Sequence, residues 1–215
     1  MARVKICPWW LAYGFDNRLR RIFQKPERIL APYVKEGMTV LDLGCGMGFF
    51  TIAMAKMINI QAEGEHLGSQ AEGEHLGSQE EGEHLGSPVR GRGKVIAVDL
   101  QERMLDQMKR RAKKQGVLGR IQPVLCQPDD ILVKEKVDFA LAMWMLHEVG
   151  EPENFLKQVR DCLKPEARFL IVEPKHHVKL EQFQKLIALA EQVGLKRIET
   201  PQIRLSRAAL LGLAA

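Results

Sequence analysis

This sequence predicts a doubly wound α/β fold: a mostly parallel sheet with helices on both faces. Three observations carry that prediction. Short apolar, β-branched runs recur without polar alternation, as strands buried on both faces require. Segments with apolar residues at helical spacing lie between them. The first such strand runs into three alternating glycines, a turn that lets a ligand approach the backbone at the carboxyl edge of a sheet. A chain of 215 residues, 46% of them hydrophobic, suffices for one domain with a full core.

The elements follow in order. "TVLDLG" (Thr39 to Gly44) reads as the first buried strand and "FFTIAMAKMI" (Phe49 to Ile58) as the helix after it. "KVIAVDL" (Lys94 to Leu100) is the second strand. The helix "ERMLDQMKRRAKKQG" follows, with Met104, Leu105, Met108 and Ala112 on one side and its Lys and Arg residues on the wet side. "RIQPVLC" (Arg120 to Cys126) and "VDFALAM" (Val137 to Met143) supply the third and fourth strands. "ENFLKQVRDCLKP" presents Phe155, Leu156, Val159 and Leu163 as a helix closed by Pro165, and "RFLIVEP" (Arg168 to Pro174) is the fifth strand. "KLEQFQKLIALAEQVG" is a helix ending at Gly194, a natural C′ residue. "LKRIETPQIRL" and the apolar tail supply one or two closing strands.

One tract stands outside this pattern. From Ala62 to Pro88 a nine-residue unit, "AEGEHLGSQ", is written three times with small changes. Each unit has two glycines, one leucine and no aromatic residue, so it cannot build a core of its own. Residues 59–92 are therefore expected to be a flexible acidic insertion into a domain spanning 37–215, with 1–36 forming an N-terminal helical lid. His66, His75 and His84, each preceded by Glu, recur every nine residues on flexible chain; that spacing is a weak signal for metal ligation, and no metal is expected.

Charge and cysteine usage narrow the function classes. The net charge is +5, but the tract holds seven acids and no Lys or Arg, so the remaining body carries 32 basic against 20 acidic residues. A basic body favours anionic partners, yet no aromatic-basic motif accompanies it, so nucleic acid is the less favoured partner. Cys7, Cys45, Cys126 and Cys162 form no CxxC pair, which speaks against a zinc site and a disulfide framework. The N-terminus "MARVKICPWW" lacks the apolar stretch of a signal peptide, and no apolar run reaches membrane-spanning length, so the expected location is cytoplasmic.

The chemistry gathers at "LDLGCGMGFF". A dinucleotide fingerprint would place its third glycine at position 49, where this chain has Phe49, so the nicotinamide reading fails on spacing. What fits instead is Asp42 two residues before Gly44, then Gly46 and Gly48. Asp99, ending the second strand, is placed to accept from both hydroxyls of a ribose. As an Asp just before a helix, it also suits a helix cap.

In these segments the sequence resembles the class I S-adenosylmethionine-dependent methyltransferases, which have a Rossmann-like sheet. Within them it is similar to the small-molecule branch of ubiquinone and menaquinone biosynthesis. The resemblance runs from about Gly37 to the C-terminus and rests on four segments in the family's order: "VLDLGCGMGFFT", "VIAVDLQERML", "VDFALAMWMLHEV" and "LKPEARFLIVEP". It implies S-adenosyl-L-methionine as cofactor, with Asp42, Gly44, Cys45, Gly46 and Gly48 around its methionine part, Asp99 on the ribose and Leu100 against the adenine. The family often has an acid after the third strand for the adenine amino group. This chain has Gln127 there, with Asp129 nearby. Met143 and Trp144 would line the pocket near the sulfonium, or serve as plain core. The N-terminal aromatics Trp9, Trp10, Tyr13 and Phe15 would shape the acceptor site, or simply pack a helix on the sheet.

Methyl transfer from a sulfonium needs alignment and exclusion of water, and a base only where the acceptor must lose a proton. His147, Glu148, Glu173, His176 and His177 all fall at the ligand-bearing edge. His147 is the chosen catalytic candidate, with a pocket-shaping role as its alternative. The expected activity is methyl transfer to a small or lipid-like acceptor. The rival readings are an RNA methyltransferase and a catalytically silent binding protein. An arsenite methyltransferase would need several converging thiolates, and only Cys7 lies in the lid.

Overall fold

The computed structural model describes residues 24–58 and 93–214. The lid aromatics with Cys7, and the whole repeat tract, lie outside the described residues.

Seven strands form one sheet in the order β3-β2-β1-β4-β5-β7-β6. They are β1 (Thr39–Leu43), β2 (Lys94–Asp99), β3 (Ile121–Leu125), β4 (Val137–Met143), β5 (Leu163–Pro174), β6 (Leu195–Glu199) and β7 (Ser206–Leu213). β7 runs antiparallel to both its neighbours, and the other pairs are parallel. Five α-helices accompany them among the described residues: α1 (Pro26–Leu30), α2 (Phe49–Met57), α3 (Glu102–Lys114), α4 (Pro152–Cys162) and α5 (Leu180–Gln192). Among the described residues, no helix is long and apolar enough to cross a membrane.

The uninterrupted apolar strands are explained by two cores. Successive side chains of a strand point to opposite faces. In β1, Val40 joins a cluster with Phe50 and Met54 of α2 and Leu105 and Met108 of α3. Its neighbours Leu41 and Leu43 join the opposite cluster, with Leu156 of α4 and Phe183 and Ile187 of α5. Each central strand is thus buried on both sides, which is why it reads as a solid hydrophobic run.

The fifth strand corrects the expected boundary. α4 ends at Cys162 and β5 begins at Leu163, so Pro165 lies inside the strand and does not close the helix. The register explains how a proline is tolerated there. Val137 pairs with Leu163 and Phe139 with Arg168, so four residues of β5 stand opposite Asp138 alone. In that irregular stretch a missing N–H breaks no ladder bond. Asp138 fastens it instead, accepting from Lys164 Nζ at 2.7 Å and from the Thr39 backbone N–H at 2.9 Å.

The insertion leaves and re-enters at the amino edge of the sheet. The Gly37 N–H donates to the Ile58 carbonyl and the Lys94 N–H to the Met38 carbonyl, both at 3.0 Å. A Cβ built on Gly93 would stand 2.7 Å from Ile58 Cβ, so the two ends touch.

Candidate active site

At the carboxyl edge, the chain leaves β1 through Gly44, Gly46 and Gly48, all with positive φ. The Cys45 N–H holds the loop to β2 by donating to the Val98 carbonyl at 2.9 Å. The glycines differ in what surrounds them. A Cβ on Gly48 would come within 2.6 Å of Met108 Cγ, whereas one on Gly46 would meet nothing within 4 Å. Gly48 therefore lets α2 and α3 pack closely, while Gly46 leaves its backbone open to a cavity.

That cavity has a volume of about 490 Å³ and lies over the carboxyl ends of β1, β2 and β4. Asp42, Gly44, Cys45, Gly46, Asp99, Leu100, Gln127, Asp129 and Met143 all border it, and Gly48 does not. Trp144, His147, Glu148, His176 and His177 border it as well. Glu173 lies behind the wall.

Two buried carboxylates face this space. Asp42 accepts from Thr51 Oγ1 at 2.5 Å. Asp99 accepts the Gly46 N–H at 2.8 Å through Oδ2 and the Gln101 N–H at 2.9 Å through Oδ1. Burial pushes the Asp99 carboxyl above its ordinary range, and the two backbone donors oppose that rise. Asp99 caps no helix by side chain in the ordinary sense; it ties the glycine loop to the start of α3 and keeps lone pairs toward the cavity.

At the far wall, Trp144 follows β4 with φ +60°, a left-handed backbone that a bulky residue seldom adopts. Its N–H donates to the Val172 carbonyl at 2.8 Å and its indole Nε1 to Ser206 Oγ at 3.0 Å, and the ring meets His176 edge to face. This sharp reversal delivers the short 3₁₀ turn Leu146–Glu148 to the cavity rim. There His147 Nδ1 lies 2.5 Å from Glu173 Oε2 and its Nε2 lies 3.9 Å from Glu148 Oε1.

The methyltransferase domain family model matches residues 15–206. The chain belongs to that family. No curated protein matches it. Among solved structures, it is similar to an S-adenosylmethionine-dependent methyltransferase from Aquifex aeolicus at 22% identity and TM-score 0.75, covering 97% of this chain and 100% of that one. A putative S-adenosylmethionine-dependent methyltransferase from Methanococcus maripaludis is 12% identical, with TM-score 0.70 and coverage of 100% and 98%. Fibrillarin from Aeropyrum pernix, crystallised with natively bound S-adenosylmethionine, is 18% identical with TM-score 0.54, covering 83% of this chain and 68% of that one.

The residues present fit the methyl donor of such an enzyme, S-adenosyl-L-methionine. A cradle that a Cβ at Gly46 would fill, carboxylates suited to an ammonium and to ribose hydroxyls, and an apolar remainder suited to a base are the features it needs. Three other contributors went unread in the sequence. Asn154 and Phe155, in the first turn of α4, border the cavity because that helix starts at the carboxyl edge; the position of the helix start was the available signal. Ser206 anchors Trp144 only because β7 returns antiparallel beside β5, and no local pattern announces that. Among the described residues, no group of three or more His, Cys, Asp or Glu could hold a metal ion.

Proposed function

We propose that this methyltransferase transfers the methyl group of S-adenosylmethionine to a small or lipid-like acceptor bound in the same cavity. The observation that carries the reading is the pairing of the open Gly46 backbone with the buried Asp99 carboxylate on one cavity wall. In this reading Asp42 and the Gly44–Gly46 backbone hold the donor's amino-acid end, and Asp99 takes the ribose. Leu100 would pack on the adenine, Gln127 and Asp129 would hold its polar edge, and Met143 would line the space for the sulfonium. The bound donor supplies an already activated methyl group, so the protein's work is to align, to exclude water and to take up a proton. His147 is the group at the rim suited to that last task. The sequence resemblance to quinone-biosynthesis enzymes supports a lipid-like acceptor.

A nucleic-acid acceptor is the second reading, favoured by the exposed Arg110, Lys113 and Lys114. These sit in the last turns of α3, whose first turn borders the cavity through Met104. A helix of 13 residues spans about 20 Å, so this basic surface lies toward the opposite edge of the sheet. The deciding experiment supplies methyl-labelled S-adenosylmethionine and a whole-cell extract. Label in nuclease-resistant small molecules or lipids supports the proposal, and label in nuclease-sensitive material overturns it.

A further inference from the structure

Behind the cavity wall lies a carboxylate that the donor site does not use. Glu173, near the end of β5, is 0% exposed. Such a place is costly for an ion unless its oxygens are answered by donors. Both are: Oε1 accepts the Leu146 backbone N–H at 2.8 Å, and Oε2 faces His147 Nδ1. Leu146 and His147 belong to one 3₁₀ turn, so a single buried carboxylate holds both the backbone and the ring of that turn. An ionised carboxylate only accepts, so the proton of a neutral His147 belongs on Nδ1 and the lone pair on Nε2.

We propose that Glu173 is a positioning residue that holds His147 with Nδ1 protonated and Nε2 bare on the cavity side, ready to take the proton of a hydroxyl-bearing acceptor. The inference rests on the methyl-transfer reading above and adds the acceptor's class, a nucleophile with a proton to lose. The balance is simple. The acceptor oxygen's lone pair forms the new O–CH₃ bond while the methyl–sulfur bond breaks and leaves its electron pair on sulfur. The hydroxyl proton passes to Nε2, and the imidazolium then releases it to solvent, since the His147 side chain keeps 21% of its surface exposed.

Further titratable groups surround the ring. Glu173 and Glu148 face the ring, and His177 lies beside it with ring centroids 5.2 Å apart, followed by His176. Burial is the largest influence on the imidazole and depresses its pKa, but the hydrogen bond and charge of Glu173, with the charge of Glu148, together outweigh it. The net effect holds His147 above its ordinary 6.5.

The test uses the full-length chain with ¹⁵N-labelled histidine, with and without S-adenosylmethionine, in multiple-bond ¹H–¹⁵N spectra that report which ring nitrogen carries the proton. The His147 signal is identified by its loss in His147→Gln. The wild type should show a bare Nε2 and a titration midpoint above 6.5. Glu173→Gln keeps an acceptor oxygen for the Leu146 N–H but offers an NH₂ group to Nδ1. It should move the proton to Nε2 and lower the ring's proton affinity about tenfold. Glu173→Asp, which retains the charge, should preserve the wild-type tautomer. A proton on Nε2 in the wild type overturns the proposal, and that spectrum decides even where a variant fails to fold. Unchanged tautomer and midpoint in folded Glu173→Gln overturn it equally. Calorimetry of Asp99→Ala tests the donor site separately, so failure there defeats the cofactor reading without touching the His147 result.

Discussion

Asp99 shows how much one side chain carries at this edge of the sheet. Its two oxygens already accept backbone N–H groups from the glycine loop and from the start of α3, so it is aimed before any ligand arrives. Bonds from ligand hydroxyls to a charged group contribute about 1.5–3 kcal/mol each and are rarely additive, so Asp99→Ala should weaken S-adenosylmethionine binding by roughly 2–4 kcal/mol. Calorimetry that finds unchanged affinity would remove the ribose assignment. His147 and Glu173 make a prediction in pH. The folded pKa of His147 lies above its ordinary 6.5, so the stability drawn from the protonated pair is fully present below 6.5 and is lost as pH rises through the folded value. Thermal melting of wild type and Glu173→Gln should therefore show the wild type's advantage largest near pH 6 and shrinking in alkaline buffer. An advantage that grows with pH would contradict the sign. Asp99 and His147 were legible in the sequence as residues of the ligand-bearing edge, because one ends β2 and the other lies in the turn that follows β4. Glu173 was legible only as a candidate base; that it is sealed behind the wall and serves His147 depends on β5 lying beside β4, which no local pattern encodes.

At the scale of elements, the glycine loop and the fifth strand show where sequence patterns suffice and where they stop. Strand–glycine–helix was readable because burial on both faces and a left-handed turn each demand particular residue types. The division of labour among the glycines was not readable, since it depends on what α3 brings alongside. Gly48→Ala would force a Cβ against Met108 in a left-handed backbone. Strain of about 1–3 kcal/mol for the conformation and a similar penalty for overpacking add to a loss of roughly 2–6 kcal/mol in stability. Gly46→Ala meets no such neighbour, so it should cost only the conformational part, about 1–3 kcal/mol in stability, while its Cβ intrudes on the space assigned to the donor. Melting temperature and donor affinity measured on both variants check this. The expectation is a larger melting drop for Gly48→Ala and a larger affinity drop for Gly46→Ala, and the reverse order would undo the distinction. Pro165 makes the complementary point. Proline is a sound helix-stop signal, but here it sits in a strand irregularity visible only from the register with β4.

For the molecule as a whole, the question is whether 34 inserted residues change the enzyme they interrupt. Their attachment points answer most of it. Ile58 and Gly93 lie in contact at the amino edge, bracketed by the bonds of Gly37 and Lys94, while the cavity opens at the carboxyl edges of the same strands. The length of β1 therefore separates the insertion's roots from Asp42 and Gly46. In the sequence, strand and helix patterns resume after the tract, which is the reason to read it as an interruption. That its ends touch was not legible there, since contact between them depends on β1 and β2 being neighbours. Deleting Ala62–Pro88 leaves residues 59–61 and 89–92 to join two points already side by side. Loop-closure entropy scales with the logarithm of length, so shortening the link from 34 residues to seven should stabilise the fold by about 1.4 kcal/mol at most. We therefore expect the deletion variant to melt at an equal or slightly higher temperature and to bind S-adenosylmethionine within a few-fold of the full chain. Calorimetry and thermal melting of the two proteins decide the matter. A deletion variant that folds but no longer binds the donor would show that the repeats take part in the site, despite being rooted at the opposite edge of the sheet.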